Sequence, residues 1–173
     1  VGEYAMSCLG RERMLQHFSA SQKTPMALIR LNYACEMRYG VLVDIARRVW
    51  HEHPVDVAMG YFNIIWQGDA NAVALCALAH TAVPPLPLNV TGLELLRVRD
   101  VANQFGELMN KHPRFTGTET TTALLSNAQR AFDLFGKPTV SAEQLLQWVA
   151  DWVIRDGASL GKPTHFESRD GKF

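Results

Sequence analysis

The sequence has little of what marks several common protein classes. Its three cysteines, Cys8, Cys35 and Cys76, form no Cys-x-x-Cys pair, so we expect neither a disulfide framework nor a zinc site, and a reducing, cytoplasmic setting. Basic and acidic side chains number 17 each, so the chain lacks the basic excess of nucleic-acid-binding proteins. The longest apolar run, Ala70 to Ala79, is shorter than the roughly 18 residues that a membrane span needs. We therefore expect no nucleic-acid partner and no membrane partner.

Glycine-rich functional motifs are also missing. No Gly-x-Gly-x-x-Gly follows a predicted strand, and the phosphate-binding Gly-x-x-x-x-Gly-Lys-Ser/Thr pattern does not occur. The Gly-x-Ser-x-Gly turn of serine hydrolases is absent as well. The chain by itself thus has no recognisable loop for a nucleotide phosphate. Because Val1 is not an initiator methionine, we also expect sequence upstream of it.

Alternating helices and strands dominate what is present. The 173 residues include 47% hydrophobic side chains, enough for one packed domain, and the order of predicted elements indicates an α/β fold. Apolar residues at helical spacing, together with capping and breaking residues, predict helices over residues 4–18, 40–50, 69–81, 98–109, 124–135 and 141–155. Short apolar or alternating runs predict strands over residues 26–31, 55–57, 62–65, 86–90 and 114–116. Met26–Leu31 is apolar on both faces, as in an inner strand of a parallel sheet.

Local patterns also suggest particular roles for histidine, tryptophan and aspartate. His51 and His53 sit at a predicted helix end before Pro54, and the other histidines lack ligand spacing, so we predict no metal. Asp69 is expected to cap the helix that follows it. Trp66, just before that helix, is either a buried turn residue or a ligand contact, because helix N-termini attract anions. Trp148 and Trp152 are spaced as core residues of the last helix.

The beginning of the chain resembles a known catalytic helix. Tyr4-Ala-Met-Ser7-Cys8, followed by Arg11 and Glu12, resembles the Tyr-x-x-x-Lys helix of the extended short-chain dehydrogenases/reductases, the NAD(P)-dependent epimerase/dehydratase family. Further segments resemble that family's elements in the same order: the strand Leu28–Tyr33 with its Arg and Asn, the segment 60–69 ending in Asp, the strand Leu88–Gly92, and the turn Phe135–Pro138 before the last helix.

This resemblance implies the C-terminal half of such an enzyme. The fold would be the C-terminal part of a Rossmann-type parallel sheet plus a small, mostly helical substrate-binding lobe. Residues 1–35 would end the dinucleotide-binding domain, and 36–173 would form mainly the substrate-binding lobe, with a return segment near 86–110. The cofactor would be NAD or NADP, the substrate a small, sugar-like molecule, and the enzyme a homodimer.

The resemblance also assigns site residues. Tyr4 would be the catalytic acid/base, and Cys8 and Arg11 would lie at the cofactor, with Cys8 replacing the family's Lys. Asn32 would bind the substrate. Arg38 and Asn63 lie on connections that leave predicted strands, where α/β folds place ligands, and with Trp66 they complete the substrate-binding candidates. Many nucleotide-sugar members carry an Arg about seven residues before the capping Asp, but that position is Phe62 here, which argues against a diphosphate sugar.

Three hypotheses for function remain open from the sequence. The first is an NAD(P)-dependent epimerase/dehydratase or reductase that acts on a hydroxyl or carbonyl carbon. The second is a non-catalytic relative that binds a dinucleotide or a protein partner, which the neutral Cys8 favours because a thiol cannot supply the charge of Lys. The third is a complete small interaction domain rich in helices.

Overall fold

The computed structural model describes residues 2–168, which form six α-helices and eight short strands. In chain order these are α1 (Glu3–Gln22), β1 (Ala27–Leu31), β2 (Ala34–Cys35), α2 (Val41–Trp50), β3 (Val55–Asp56), β4 (Tyr61–Phe62), β5 (Ile65–Trp66), α3 (Gln67–Cys76), β6 (Leu86–Val90), β7 (Leu96–Arg97), α4 (Val98–Met109), β8 (Phe115–Thr116), α5 (Gln129–Phe135) and α6 (Ala142–Ile154). A short 3₁₀ turn, Ala77–His80, continues α3.

The strands associate in pairs, and most of the pairs are parallel. The longest pair joins β1 to β6, with Ala27 opposite Leu86 and Leu31 opposite Val90. The β2–β5 and β3–β8 pairs are parallel, and β4–β7 is antiparallel. Parallel strands joined through helices are the hallmark of α/β folds, so the expected fold class is confirmed.

The burial predicted for the first strand is only partly correct. Within β1 the side chain of Leu28 is buried, but Leu31 is 52% exposed and Arg30 is also exposed. Among residues 2–168 the only strand paired with β1 is β6, so the other edge of β1 is open. The apolar run predicted that both faces of β1 are buried. Residues 2–168 do not cover both faces.

Three helices enclose the main core. One face each of α2, α4 and α6 is apolar at helical spacing, and these faces pack on one another around Ile45, Phe105 and Leu145. The predicted helices 40–50, 98–109 and 141–155 correspond to these three elements. Ser141 caps α6 as expected, because its Oγ accepts a hydrogen bond from the Gln144 N–H at 3.2 Å.

Asp69 does not cap α3, contrary to the prediction. The helix begins at Gln67 with Trp66 at the N-cap, which places Asp69 inside the first turn. The buried carboxylate instead accepts hydrogen bonds from the Thr139 N–H at 3.0 Å, the Thr139 hydroxyl at 2.7 Å and the Val140 N–H at 3.1 Å. Through these hydrogen bonds, Asp69 holds the turn before α6 against the start of α3.

The helix predicted over residues 124–135 starts only at Gln129. Residues 117–128, called the 117–128 segment below, contain no regular helix or strand. Ser126 gives the physical reason, because its backbone N–H and C=O both bond to the side chain of Asn63. These backbone groups are therefore unavailable to a helical hydrogen-bond ladder.

Two tryptophans of α6 are less buried than predicted. Trp148 is 38% exposed, and Trp152 is half-buried with its indole N–H donating to the Ala158 carbonyl at 2.9 Å. The residues after α6 form no helix or strand as far as Ser168, as expected, and the rest of the predicted loop lies outside the described residues. Within this stretch Phe166 is buried beside Phe62, and the ring centroids are 6.3 Å apart.

Candidate functional site

The candidate site lies at the carboxyl end of β1, the edge where α/β folds hold ligands. Asn32 follows β1 directly, and its backbone N–H donates to the Val90 carbonyl at 2.9 Å, extending the pairing with β6. Tyr33 then adopts a positive φ of 42°, which turns the chain from β1 into β2. Burial raises the pKa of the Tyr33 hydroxyl, and the charge of Glu167 adds to the effect. The Asn32 side chain is thus presented at a sharp, well-packed corner.

Two of the predicted substrate residues meet at this corner. Asn32 Nδ2 donates to Asn63 Oδ1 at 2.8 Å and to the Asn63 carbonyl at 3.4 Å. Asn63 Oδ1 also accepts from the Ser126 N–H at 3.2 Å, and Asn63 Nδ2 donates to the Ser126 carbonyl at 3.2 Å. The buried Asn63 amide therefore links the end of β1 to the 117–128 segment.

Ser126 is a member of this cluster that the sequence analysis missed. It lies 63 residues from Asn63, and its contribution comes from backbone groups, which any residue type carries. No local spacing could have identified it. A second link ties the same segment to the sheet, since Asn89 Nδ2 donates to the Asn127 carbonyl at 2.9 Å.

The residues of the predicted catalytic helix are near one another; Tyr4 and Arg11 are exposed, and Cys8 is half-buried. Tyr4 is 66% exposed, and Cys8 lies one turn further along α1. The pKa of Tyr4 is raised, first by a hydrogen bond with the Cys8 side chain, then by the electrostatic effect of Cys8 and by partial burial. The Arg11 guanidinium acts in the opposite direction but does not reverse the shift. A tyrosine that exchanges protons near neutral pH needs a lowered pKa, so residues 2–168 alone do not activate Tyr4.

Arg38 and Trp66 lie in other surroundings. Arg38 Nε donates to the two carboxylate oxygens of Glu36 at 3.1 and 3.0 Å, within the turn between β2 and α2. Trp66 packs edge-to-face on Trp148, with 6.1 Å between the ring centroids. Their predicted roles at a substrate remain untested, and neither side chain hydrogen-bonds to the Asn32–Asn63 pair within the described part of the chain.

Several arginines form short ion pairs with carboxylates. Arg30, on β1, forms a two-point contact with Glu12 of α1 through distances of 2.9 and 2.7 Å. Arg97 and Arg99 converge on Glu119 of the 117–128 segment, with their closest distances 2.6 and 2.7 Å. The pKa of Glu119 is lowered by hydrogen bonds from these two guanidinium groups, and the pKa of Glu12 is lowered by Arg30.

A separate cavity of about 100 Å³ lies between α3, α5 and the turn at residues 136–139. Most of its lining is apolar, and the buried Thr91 hydroxyl beside it has no hydrogen-bond partner in the described chain. This volume is well below the roughly 300–1,000 Å³ of sites for drug-sized ligands. It is therefore too small for a dinucleotide or a sugar nucleotide.

Neither a metal centre nor a membrane span emerges from residues 2–168. No group of three or more His, Cys, Asp or Glu side chains in that range could hold a metal ion. None of the helices found there combines the length and apolar character needed to cross a membrane.

Comparison with known proteins identifies the fold. No protein-family model matches the sequence, and no curated protein matches it. Among solved structures, the UDP-glucuronic acid 4-epimerase of Bacillus cereus, in complex with UDP-glucuronic acid and NAD, is 14% identical, with a TM-score of 0.72, over 85% of this chain and 51% of that one. UDP-glucose 4-epimerase from Thermotoga maritima is 15% identical, with a TM-score of 0.70, over 86% and 52%. RMD from Pseudomonas aeruginosa, complexed with NADPH, is 15% identical, with a TM-score of 0.70, over 88% and 56%.

These similarities confirm the expected architecture. The chain has the Rossmann-like fold of sugar-nucleotide 4-epimerases, with the parallel strand pairs and helices described above. It spans about half the length of the solved structures it matches.

Proposed function

We propose that this chain belongs to an NAD(P)-dependent epimerase/dehydratase or reductase of the extended short-chain dehydrogenase/reductase type. It would supply the catalytic helix and the substrate-binding lobe. The observation that supports this most is the placement of α1 and Asn32 around one parallel sheet edge, in a fold shared with NAD- and NADPH-bound enzymes. Within the proposal, residues 1–35 complete a dinucleotide-binding domain and 36–173 form mainly the substrate lobe, with the return segment near 86–110.

Exposed apolar surface supports the presence of a further protein part. Large apolar side chains are exposed along α1, at Tyr4, Met6, Leu9, Met14 and Phe18, and the neighbouring edge of β1 is unpaired in the described chain. An open strand edge flanked by apolar side chains normally receives another strand or promotes aggregation. We propose that the dinucleotide-binding half covers β1, and that a second subunit covers the outer side of α1. Residues 1–173 expressed alone should therefore associate or precipitate and be inactive.

The residues present fit the nicotinamide end of a dinucleotide in part. Tyr4, Cys8 and Arg11 recur at helical spacing on α1, at the end of that helix near Tyr39. Residues 2–168 offer no glycine-rich turn for the cofactor's phosphates. When bound, the dinucleotide would supply hydride transfer. Tyr4 would exchange the proton of the substrate hydroxyl, and Asn32 would orient that hydroxyl.

The side chain of Cys8 supports the alternative function, a non-catalytic relative. A thiol in place of a lysine removes a cation beside Tyr4, and the hydrogen bond between the two side chains raises the pKa of Tyr4 instead of lowering it. This observation favours a relative that binds a dinucleotide without turning over a substrate.

The decisive experiment uses the complete gene product. NADH and NADPH binding would be measured by fluorescence, and hydride transfer by absorbance across a panel of hydroxyl and carbonyl compounds. Tyr4→Phe should preserve binding and lower turnover by about 10²–10⁴-fold, the usual contribution of a positioned proton-transfer group. Tyr61→Phe, at a partly exposed tyrosine elsewhere, is the matched control and should leave turnover unchanged.

Each result separates the hypotheses. Binding without hydride transfer over the whole panel would support the non-catalytic alternative. Absence of dinucleotide binding would refute both, and would favour an interaction domain.

A further inference from the structure

The cavity between α3 and α5, called the α3–α5 pocket below, has no part in the proposed function. One face of α3 forms one of its walls, through Asp69, Ala72, Val73 and Cys76, which recur at i, i+3, i+4 and i+7. The facing wall comes from α5, and the floor comes from the ends of β5 and β6. Ala72 and Cys76 are exposed, so they form a rim at which the pocket opens to the surface of the described chain.

Apolar side chains make up most of the floor and walls. Ile65 and Val90 are buried at the ends of β5 and β6, and Phe132 and Phe135 lie on α5. On the facing wall, α3 presents small residues such as Ala72, so the side chains of the two helices leave space between them. Protein interiors normally contain few voids larger than a water molecule. A volume of about 100 Å³ is therefore large for a packing defect.

One polar side chain that lines the pocket has no partner. Thr91 is 1% exposed, and no group among residues 2–168 hydrogen-bonds to its hydroxyl. Buried hydroxyl groups are almost always hydrogen-bonded, because leaving one unsatisfied costs free energy. The buried Asp69 carboxylate also lines the pocket, but it already accepts hydrogen bonds from Thr139 and Val140. The Thr91 hydroxyl is therefore the buried group that is available to orient a ligand.

Water alone would fill this pocket poorly. A water molecule occupies about 30 Å³ in the liquid, so about three would fit, and a buried water needs about two to four polar partners. The hydroxyl of Thr91 cannot supply these partners between aliphatic and aromatic walls. Replacement of poorly held water by an apolar group favours binding. A molecule with an apolar body and one polar atom would match both the walls and the hydroxyl.

We propose that the α3–α5 pocket binds an uncharged molecule of about four to six non-hydrogen atoms that carries one hydroxyl or carbonyl group. This size follows from comparison with a cavity of about 150 Å³, which holds benzene. The polar atom would bond to Thr91, and the hydrocarbon part would contact Ile65 and the two phenylalanines of α5. The Asp69 carboxylate would repel an anion, and its three hydrogen-bond donors already compensate its charge without a cation.

This inference does not depend on the proposed function. None of the residues that line the pocket belongs to α1 or to the Asn32–Asn63 pair. Loss of dinucleotide binding would therefore refute the proposed function and leave the pocket untouched, and the reverse also holds.

Binding is tested on the complete gene product with ¹³C-labelled isoleucine methyl groups. The probe is butan-1-ol, and NMR follows the δ1 methyl resonance of Ile65, which is assigned from its loss in Ile65→Val. We expect a saturable shift at millimolar concentrations, since so small a ligand makes few contacts. Butyrate and butylammonium have the same hydrocarbon chain but carry a charge, so each should bind at least about tenfold more weakly.

Two variants test the assigned contacts. Thr91→Val removes the hydroxyl and keeps the shape of the side chain, so it should weaken butan-1-ol by about 3–10-fold, the worth of one neutral hydrogen bond. Xenon makes no hydrogen bond, so its affinity should stay within about twofold in this variant, which also shows that the pocket is intact. Ala72→Leu places a larger side chain at the rim and should weaken butan-1-ol at least about tenfold. Ala74→Leu, at an exposed α3 residue outside the lining, is the matched control and should stay within about twofold.

Several results would overturn the inference. One is the absence of a saturable shift of the Ile65 resonance, and another is equal binding of butan-1-ol by the Ala72→Leu and Ala74→Leu variants. Unchanged affinity in Thr91→Val would mean that the hydroxyl bonds only to water. Butyrate or butylammonium binding as tightly as butan-1-ol would refute the uncharged class.

Discussion

Replacing Asn63 by alanine should destabilise the protein more than any other single change at the candidate site. Asn63 is 8% exposed, and its amide makes three hydrogen bonds, of 2.8, 3.2 and 3.2 Å, to Asn32 and Ser126. Each such bond contributes about 0.5–1.5 kcal/mol net, and a buried partner left unsatisfied costs about 1–3 kcal/mol. Water can reach part of this cluster, so we expect the free energy of unfolding to fall by about 2–4 kcal/mol.

The effect should be local as well as global. Urea denaturation of the complete gene product measures the free energy change, provided that the transition of this domain is resolved. Hydrogen exchange measures the local change, since Asn63→Ala removes the acceptor of the Ser126 N–H and should accelerate exchange at that amide.

Asn89→Ala provides the comparison. Asn89 makes a single exposed hydrogen bond to the Asn127 carbonyl, so its removal should cost below about 1 kcal/mol and leave exchange at Ser126 unchanged. If Asn63→Ala cost no more than Asn89→Ala, or left the Ser126 amide protected, the assigned role of Asn63 in holding the 117–128 segment would be wrong.

Three further experiments test other parts of the molecule. Trp152→Ala should cost about 1–3 kcal/mol in the free energy of unfolding, because its ring is half-buried; Leu145→Ala should cost about 2–5 kcal/mol. Denaturant titrations compare the two, and a larger loss for Trp152 would contradict the burial argument. Cys8→Lys should lower the pKa of Tyr4, because it removes the side chain that raises this pKa and adds a cation. Ultraviolet titration measures that pKa after subtraction of the Tyr4→Phe spectrum, and an unchanged value would refute the assigned cause. Burial raises the pKa of the Cys35 thiol to about 11, so iodoacetamide should modify Cys35 only after unfolding; rapid modification of the native protein would contradict this.

Local sequence patterns predicted the elements that repeat a simple spacing. The apolar residues of α4 recur at helical intervals, and the predicted range 98–109 is the observed one. The capping pattern at Ser141 likewise located the start of α6, because it involves residues three positions apart. The strand over 86–90 was also correct, and the fold class followed from the alternation of such elements.

Errors arose where distant residues compete for local groups. Asp69 has the residue type and position of a helix cap, but Thr139, 70 residues away, occupies its carboxylate. Residues 124–128 have a helical pattern, but Asn63 occupies the backbone groups of Ser126. Such pairings depend on the assembled fold and are invisible in a window of one or two turns.

For the candidate site, the sequence predicted residues but not the contacts between them. The resemblance singled out Asn32, and Asn63 was chosen because it lies on a connection leaving a predicted strand; the structure brings the two into direct contact. The hydrogen bond between them, and the hydrogen bonds of Asn63 with the Ser126 backbone, could be seen only in the tertiary structure. The hydrogen bond between Tyr4 and Cys8 was within reach of sequence reasoning, since four residues separate them on one helix face; its effect on the pKa of Tyr4 depended on the side-chain geometry.

The distribution of charge gives a physical reason why segments without regular secondary structure hold their positions. Ion pairs join the irregular parts of the chain to regular elements: Glu119 holds the 117–128 segment to Arg97 and Arg99, and Glu167 holds the chain after α6 to Arg48. Exposed ion pairs contribute little stability individually, but each fixes the position of a segment that lacks a hydrogen-bond ladder of its own.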